Sequence, residues 1–149
     1  MRAVLQRVAW AGVAVASDEG DEEVGRIGSG LLVLLGVAVG DTAARAQKLA
    51  ARIAALRIFD DVEGRMNRDV REAGGAVLVV SQFTLLADAS RGRRPSYAGA
   101  ARPDEARLLY ETVVDALKGQ GLYVETGAFG AHMQVSLLND GPVTLILDE

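Results

Sequence analysis

Hydrophobic and polar residues alternate from the first positions of the chain. Along Arg2–Val15, Ala3, Leu5 and Arg7 fall on one face and Val4, Gln6 and Val8 on the other, which predicts a strand pair or one long bent strand. Ser17–Glu23 is an acidic, Gly-containing turn, so a hairpin into Val24–Ile27 is expected. Gly28-Ser29-Gly30 breaks the pattern, and Leu31–Val39 then reads as a buried strand. Asp41 or Thr42 suits the cap of a helix from about Ala43 to Ile58, with Ala46, Leu49, Ala50, Ile53 and Leu56 on its apolar face. Phe59–Gly75 reads as a charged, irregular connection ending at Gly74-Gly75. The run Val77-Leu78-Val79-Val80 follows, without a polar face, as a strand buried on both sides would.

Ala87–Arg102 is a loop rich in arginine, serine and glycine. Pro103 fits the first turn of a second helix, where Asp104 and Glu105 meet its positive end. Ala106, Leu109, Val113, Ala116 and Leu117 form the predicted buried stripe, and Gly119 or Gly121 ends it. Three strands close the chain: Leu122–Glu125, Met133–Leu138 and Val143–Leu147. Two helices with about seven strands predict a single compact α/β domain over 1–149, its mixed or antiparallel β-sheets layered with two main helices.

Composition narrows the chemistry. Half of the 149 residues are apolar, which suits a globular protein with a sizeable core. Without cysteine there is no disulfide, no thiolate nucleophile and no thiolate-held metal, and the single His132 rules out a multi-histidine metal site. A net charge of −4 argues against broad coating of nucleic acid but leaves room for a local basic patch. Gln6 and Arg7 interrupt any signal-peptide core, and Gly30–Val39 is too short to span a bilayer, so a soluble, cytoplasmic protein without membrane attachment is expected. Neither a G-x-G-x-x-G nor a Walker A pattern follows a strand, and no cofactor is expected.

Two polar stretches carry the candidate chemistry. Ser81-Gln82-Phe83-Thr84 leaves the central strand, where a rigid strand end can present hydroxyls, an amide and backbone N–H groups. Asn139-Asp140-Gly141-Pro142-Val143-Thr144 lies near the other end. On the residues alone the first is also how a core strand exits, and Gly141-Pro142 is an ordinary trans turn, since X-Pro bonds are cis in only about 5–6% of cases.

Taken together, in this order, the two stretches resemble the D-aminoacyl-tRNA deacylases. The likeness continues through Met1–Val8, Leu31–Val37, Leu56–Phe59, Gly92–Ser96 and Met133–Leu137, and so covers nearly the whole chain. It implies a homodimer that hydrolyses the ester joining a D-amino acid to the terminal adenosine of tRNA, and that also clears glycine mischarged onto tRNA. It further implies that the Gly141–Pro142 bond is cis and that this dipeptide enters the partner's site. There its carbonyl oxygens exclude an L-side chain, and Arg7 helps to hold it; a surface arginine is the other reading of Arg7.

Ser81, Gln82, Phe83 and Thr84 are the expected catalytic residues, with backbone N–H groups beside Phe83 and Thr84 stabilising an oxyanion. No neighbouring base activates Thr84, and the resemblance favours assistance from the substrate's own 2′-hydroxyl over attack by Thr84. Phe129 and Met133 match positions that contact the adenosine, though both also suit a core. Arg91, Arg93 and Arg94, with Arg102 nearby, form the one basic cluster, either a solvated loop or a contact for tRNA phosphates. The partners expected are thus tRNA and a second copy, with no DNA and no metal. A noncatalytic module that binds the tRNA 3′ end is the alternative, and a small-ester hydrolase using Thr84 and His132 a third.

Overall fold

The computed structural model describes residues 1–149. Strand β1 (Arg2–Val15) is the longest early element and is a single strand. Strands β2 (Glu22–Ile27) and β3 (Gly30–Gly36) lie one after the other along one edge of it. Ala11↔Ile27 opens the β2 ladder, and Val8↔Gly30 opens the β3 ladder. Strand β3 stops at Gly36, short of Val39, because beyond it only Ala38 makes an isolated bridge, to Ala100.

Helix α1 (Ala43–Ala55) is capped by Thr42, whose Oγ1 accepts from the Arg45 N–H at 3.3 Å. Asp41 is not the cap: its carboxylate accepts from Ala38 N–H at 2.7 Å and pairs with the Met1 ammonium. The helix ends before Ile58 because Leu56 is already extended, at φ −64° and ψ 123°. The stretch expected to be irregular holds a small hairpin, β4 (Phe59–Asp60) with β5 (Met66–Arg68). Its turn is built around the Asp61 carboxylate, which accepts from the Glu63 and Arg65 N–H groups and from Asn67 Nδ2. Those bonds hold Asp61 below the usual carboxylate range, the Arg65 N–H first among them.

Strand β6 (Ala76–Ser81) joins β3 in parallel, and β7 (Val124–Thr126) joins β6 in parallel on its other side. Helix α2 (Pro103–Gly119) connects the two. Its buried residues are Ala106, Tyr110, Val113, Val114 and Leu117; Leu109 and Ala116, expected in the stripe, are only half buried. The stripe is rotated because Tyr110 turns inward to donate its hydroxyl to the Val79 carbonyl at 2.8 Å.

The two strands expected after β7 are one, β8 (Met133–Asp148), antiparallel to β1 from Val15↔Met133 to Arg2↔Asp148. The sheet is therefore mixed, in the order β2-β1-β3-β6-β7 with β8 along the other edge of β1. Leu31, Val33 and Leu35 of β3, with Val77 and Val79 of β6, pack on both helices. Leu32, Leu78 and Val80 point the other way, into a second core with Val8, Ala11, Val13 and Ile27. This second core closes because β2 lies over β7: a Cβ on Gly25 would stand 2.8 Å from the Thr126 carbonyl. The result is a near-barrel with both helices on one face. Val77–Val80 are buried throughout, as the run without a polar face required. No helix is long and apolar enough to cross a membrane.

Candidate active site

Strand β6 carries Ser81 to its end, where Gln82 N–H still bonds the Leu35 carbonyl at 2.8 Å. The chain then turns into a short 3-10 helix, Phe83–Leu86. Gly36 of β3 makes room for it, since a Cβ there would lie 2.3 Å from Leu86 Cδ2 and 2.9 Å from the Gln82 carbonyl. Gln82 Nε2 donates to Thr84 Oγ1 at 2.5 Å. The N–H groups of Phe83 and Thr84 have no acceptor within the protein, as the first donors of a helical turn do not.

This turn forms one lip of a cleft of about 620 Å³. Ser81, Gln82 and Phe83 line it, and so do Phe129, from the segment before β8, and Met133, the first residue of that strand. Thr84 does not line it; its hydroxyl is engaged by Gln82. His132 is exposed and its ring makes no hydrogen bond, so no imidazole meets Thr84. The arrangement offers two main-chain donors beside a mostly apolar hollow, which suits an ester carbonyl gaining negative charge.

Three residues of this region escaped the sequence reading. Tyr97 lines the cleft and meets Phe83 edge-on, with ring centroids 5.1 Å apart. Tyr110 tilts against Phe129 at 5.7 Å, and the Arg107 guanidinium lies 4.9 Å from the Phe129 centroid. Phe129 is thus both packed on the core and open to the cleft. The only signal for Tyr97 was an aromatic residue within a polar loop.

Neither Gly141 nor Pro142 lines the cleft. On β1, Gln6 pairs with Thr144 and Val8 with Asn139, so the single residue Arg7 faces the four residues Asp140–Val143. The surplus leaves the ladder as a bulge. Its peptide bond Gly141–Pro142 is cis, and both residues are exposed. Arg7 holds this excursion: its Nε donates to the Asp140 carbonyl at 2.9 Å and its Nη1 to the Ile58 carbonyl at 2.8 Å. Asp60 and Asp140 flank the guanidinium at 3.4 and 3.8 Å, and the side chain is only 11% exposed. Asn139 closes the base of the bulge, accepting from Val143 N–H and donating to Thr144 Oγ1. Arg7 is therefore not a free surface arginine.

Arg91, Arg93 and Arg94 occupy an exposed loop pinched by the Asp88↔Ser96 bridge. None of the three has an ion-pair partner, and none lines the cleft.

Residues 4–148 match the family described as D-Tyr-tRNA(Tyr) deacylase. A Symbiobacterium thermophilum protein named D-aminoacyl-tRNA deacylase is 55% identical over 148 residues, covering 99% of this chain and 95% of that one. The protein of the same name from Neisseria gonorrhoeae is 52% identical over 148 residues, covering 99% and 91%. A solved structure described as "c-Myc DNA Unwinding Element Binding Protein" superposes with a TM-score of 0.91 at 36% identity, over 100% of this chain and 99% of that one. Another, described as a probable eukaryotic D-amino acid tRNA deacylase, superposes with a TM-score of 0.81 over 99% and 98%; at 18% identity it shares the fold. Near-barrel, cleft and relatives together define a hydrolase acting on ester bonds. The chain belongs to the D-Tyr-tRNA(Tyr) deacylase family.

The Tyr110 contact ties α2 to the strand that carries Ser81, and it has a pH signature. Burial first, and then the nearby Glu111 charge, push this phenol up to about 12 from its usual 10.0. The unfolded chain releases that proton near pH 10 and the folded protein near pH 12, so the contribution is complete below pH 10 and is lost as pH rises toward 12. Tyr110→Phe is expected to cost about 1 kcal/mol near neutrality by removing one of the two hydrogen bonds to the Val79 carbonyl, which keeps the Gly127 N–H at 3.2 Å. It is also expected to flatten the alkaline loss, as urea unfolding of both proteins at pH 8 and pH 11 will show.

Proposed function

We propose that this protein, as one domain over residues 1–149, hydrolyses the ester joining a D-amino acid to the terminal adenosine of tRNA in the cytoplasm, releasing free tRNA and amino acid. Family membership supports the reaction, and the observation that supports its location is the pair of N–H groups without a protein acceptor at Phe83, which lines the cleft, and at Thr84, the next residue of the same turn. In this reading the ester lies along Ser81–Thr84, and those two donors hold the oxyanion of the tetrahedral intermediate. Thr84 has a hydrogen-bond donor and no base beside it, so it acts as a positioning group with Gln82. Water is activated with the help of the 2′-hydroxyl of the substrate's own ribose. Phe129 and Met133 receive the adenine, a flat base for an aromatic ring and a polarizable thioether. Arg91, Arg93 and Arg94 meet tRNA phosphates.

Selection falls to the cis Gly141–Pro142 dipeptide acting across a homodimer. Its carbonyl oxygens, presented to the partner's substrate, leave room for hydrogen where an L-side chain would have to lie. Such a repulsive element is what discrimination between mirror images needs. Glycine has no side chain to exclude, and glycyl-tRNA is a substrate for that reason. The exposure of the dipeptide, its absence from the lining of its own cleft and its hold by Arg7 support the reading. So do the apolar residues uncovered along β1 and β8. Trp10 pairs with Leu138 and Val4 with Ile146, Leu138 and Ile146 are 55% and 64% exposed, and the outer edge of β8 has no partner strand.

Incubation with D-tyrosyl-tRNA, glycyl-tRNA and L-tyrosyl-tRNA is expected to consume the first two and spare the third; equal loss of both tyrosyl esters would refute selection. Sedimentation at assay concentration should find a dimer, and a fully active monomer would rule out selection in trans. Substrate ending in 2′-deoxyadenosine should lose about 100-fold or more in rate, the scale of one misplaced catalytic group. Thr84→Val and His132→Ala should each cost far less. The reverse order would favour Thr84 as nucleophile.

A further inference from the structure

We infer that Arg102 is an anion-binding residue of the cleft, one that grips the 5′-phosphate of a nucleotide whose base lies among the cleft's aromatic side chains. The inference rests on the proposal that the cleft takes the 3′ end of tRNA, and it adds the point at which that end is held by charge.

The wall of the cleft is largely apolar, with Phe83, Tyr97, Phe129 and Met133 supplying flat or polarizable surface. Arg102 is the single charged residue lining it. Most arginines near other elements are spent on partners: Arg2 on Asp148, Arg7 on Asp140, Arg26 on Glu23 and Arg52 on Glu149. The Arg102 guanidinium bonds to nothing in the protein, and the neighbouring carboxylates of Asp104 and Glu105 do not line the cleft. Its backbone is fixed all the same. Arg102 is the N-cap of α2, its carbonyl accepts from Ala106 N–H at 2.8 Å, and Pro103 follows it.

A fixed backbone carrying an unpaired planar fork on an apolar wall suits one kind of ligand group, an oxyanion with several acceptors. The end of an aminoacylated tRNA offers two charges, the ammonium of the amino acid and the phosphate of the last nucleotide. Arg102 repels the first and attracts the second. It therefore sets which way round the terminal nucleotide lies, with phosphate toward the start of α2 and the ester toward Ser81–Thr84. Arg91, Arg93 and Arg94 do not line the cleft and have no such role.

The test compares 5′-AMP with adenosine, titrated into the full protein and followed by amide NMR shifts, for the wild type, Arg102→Gln and Arg102→Lys. The wild type is expected to bind 5′-AMP about tenfold more tightly than adenosine, the worth of one charge-assisted contact. Arg102→Gln should abolish that preference without weakening adenosine, and Arg102→Lys should restore part of it. Equal affinities in the wild type, a preference that survives Arg102→Gln, or equal weakening of both ligands would each overturn the assignment. Turnover of D-tyrosyl-tRNA, measured on the same wild-type sample, reports on the deacylase reading separately. An intact 5′-AMP preference without turnover sinks that reading and leaves the phosphate site standing.

Discussion

Burial of β6 on both faces is the constraint from which the other parts of the site take their positions. A strand with cores above and below it can slip by neither one residue nor two, because every register change would move Val77–Val80 out of matched surroundings. Parallel partners on both edges, β3 and β7, complete its hydrogen bonding. What emerges beyond Ser81 is therefore aimed by the whole sheet. The Tyr110 hydroxyl on the Val79 carbonyl extends that control to α2, and through the contact of Tyr110 with Phe129 to the far wall of the cleft.

A second constraint governs the opposite side of the molecule. The β1–β8 ladder runs almost the length of both strands and yet accommodates four residues opposite one. Such a surplus is tolerated only if its polar groups find partners. Arg7 and Asn139 supply them: a guanidinium fork reaching the Asp140 and Ile58 carbonyls, and an amide that bonds Val143 and Thr144. The excursion is thereby a shaped projection with a fixed base. Its anchor, Ile58, belongs to the segment leaving α1, so the helical layer and the projection are joined through one side chain.

Much of the fold was legible in the sequence, and the exceptions share a physical origin. Hydrophobic periodicity marks burial, so α1, β3 and β6 were visible from Leu49 and Ile53, Leu31–Leu35 and Val77–Val80. The β4–β5 hairpin was not, because it is organised by one carboxylate, Asp61, gathering N–H groups in a charged stretch. Strand β8 read as two strands because Asn-Asp-Gly-Pro carries the composition of a turn, and composition cannot tell a turn from a bulge whose partner strand continues. The rotated face of α2 turned on Tyr110, whose ring belongs to the core and whose hydroxyl needed an acceptor that only the fold supplies. Of the candidate residues, the Ser81–Thr84 stretch and the separate Gly141–Pro142 stretch were singled out by resemblance. Tyr97, Arg107 and the free state of Arg102 were not, since each depends on what lies opposite in space.

The close passage of Gly36 beneath the turn has an evolutionary side. The donors at Phe83 and Thr84 belong to the main chain, so exchanging either side chain, proline apart, leaves them in place. Adding a single methyl group to Gly36 would instead push on Leu86 and the Gln82 carbonyl and tilt both donors at once. Natural variation would then weigh on the floor one strand away before it registered at Phe83 and Thr84 themselves.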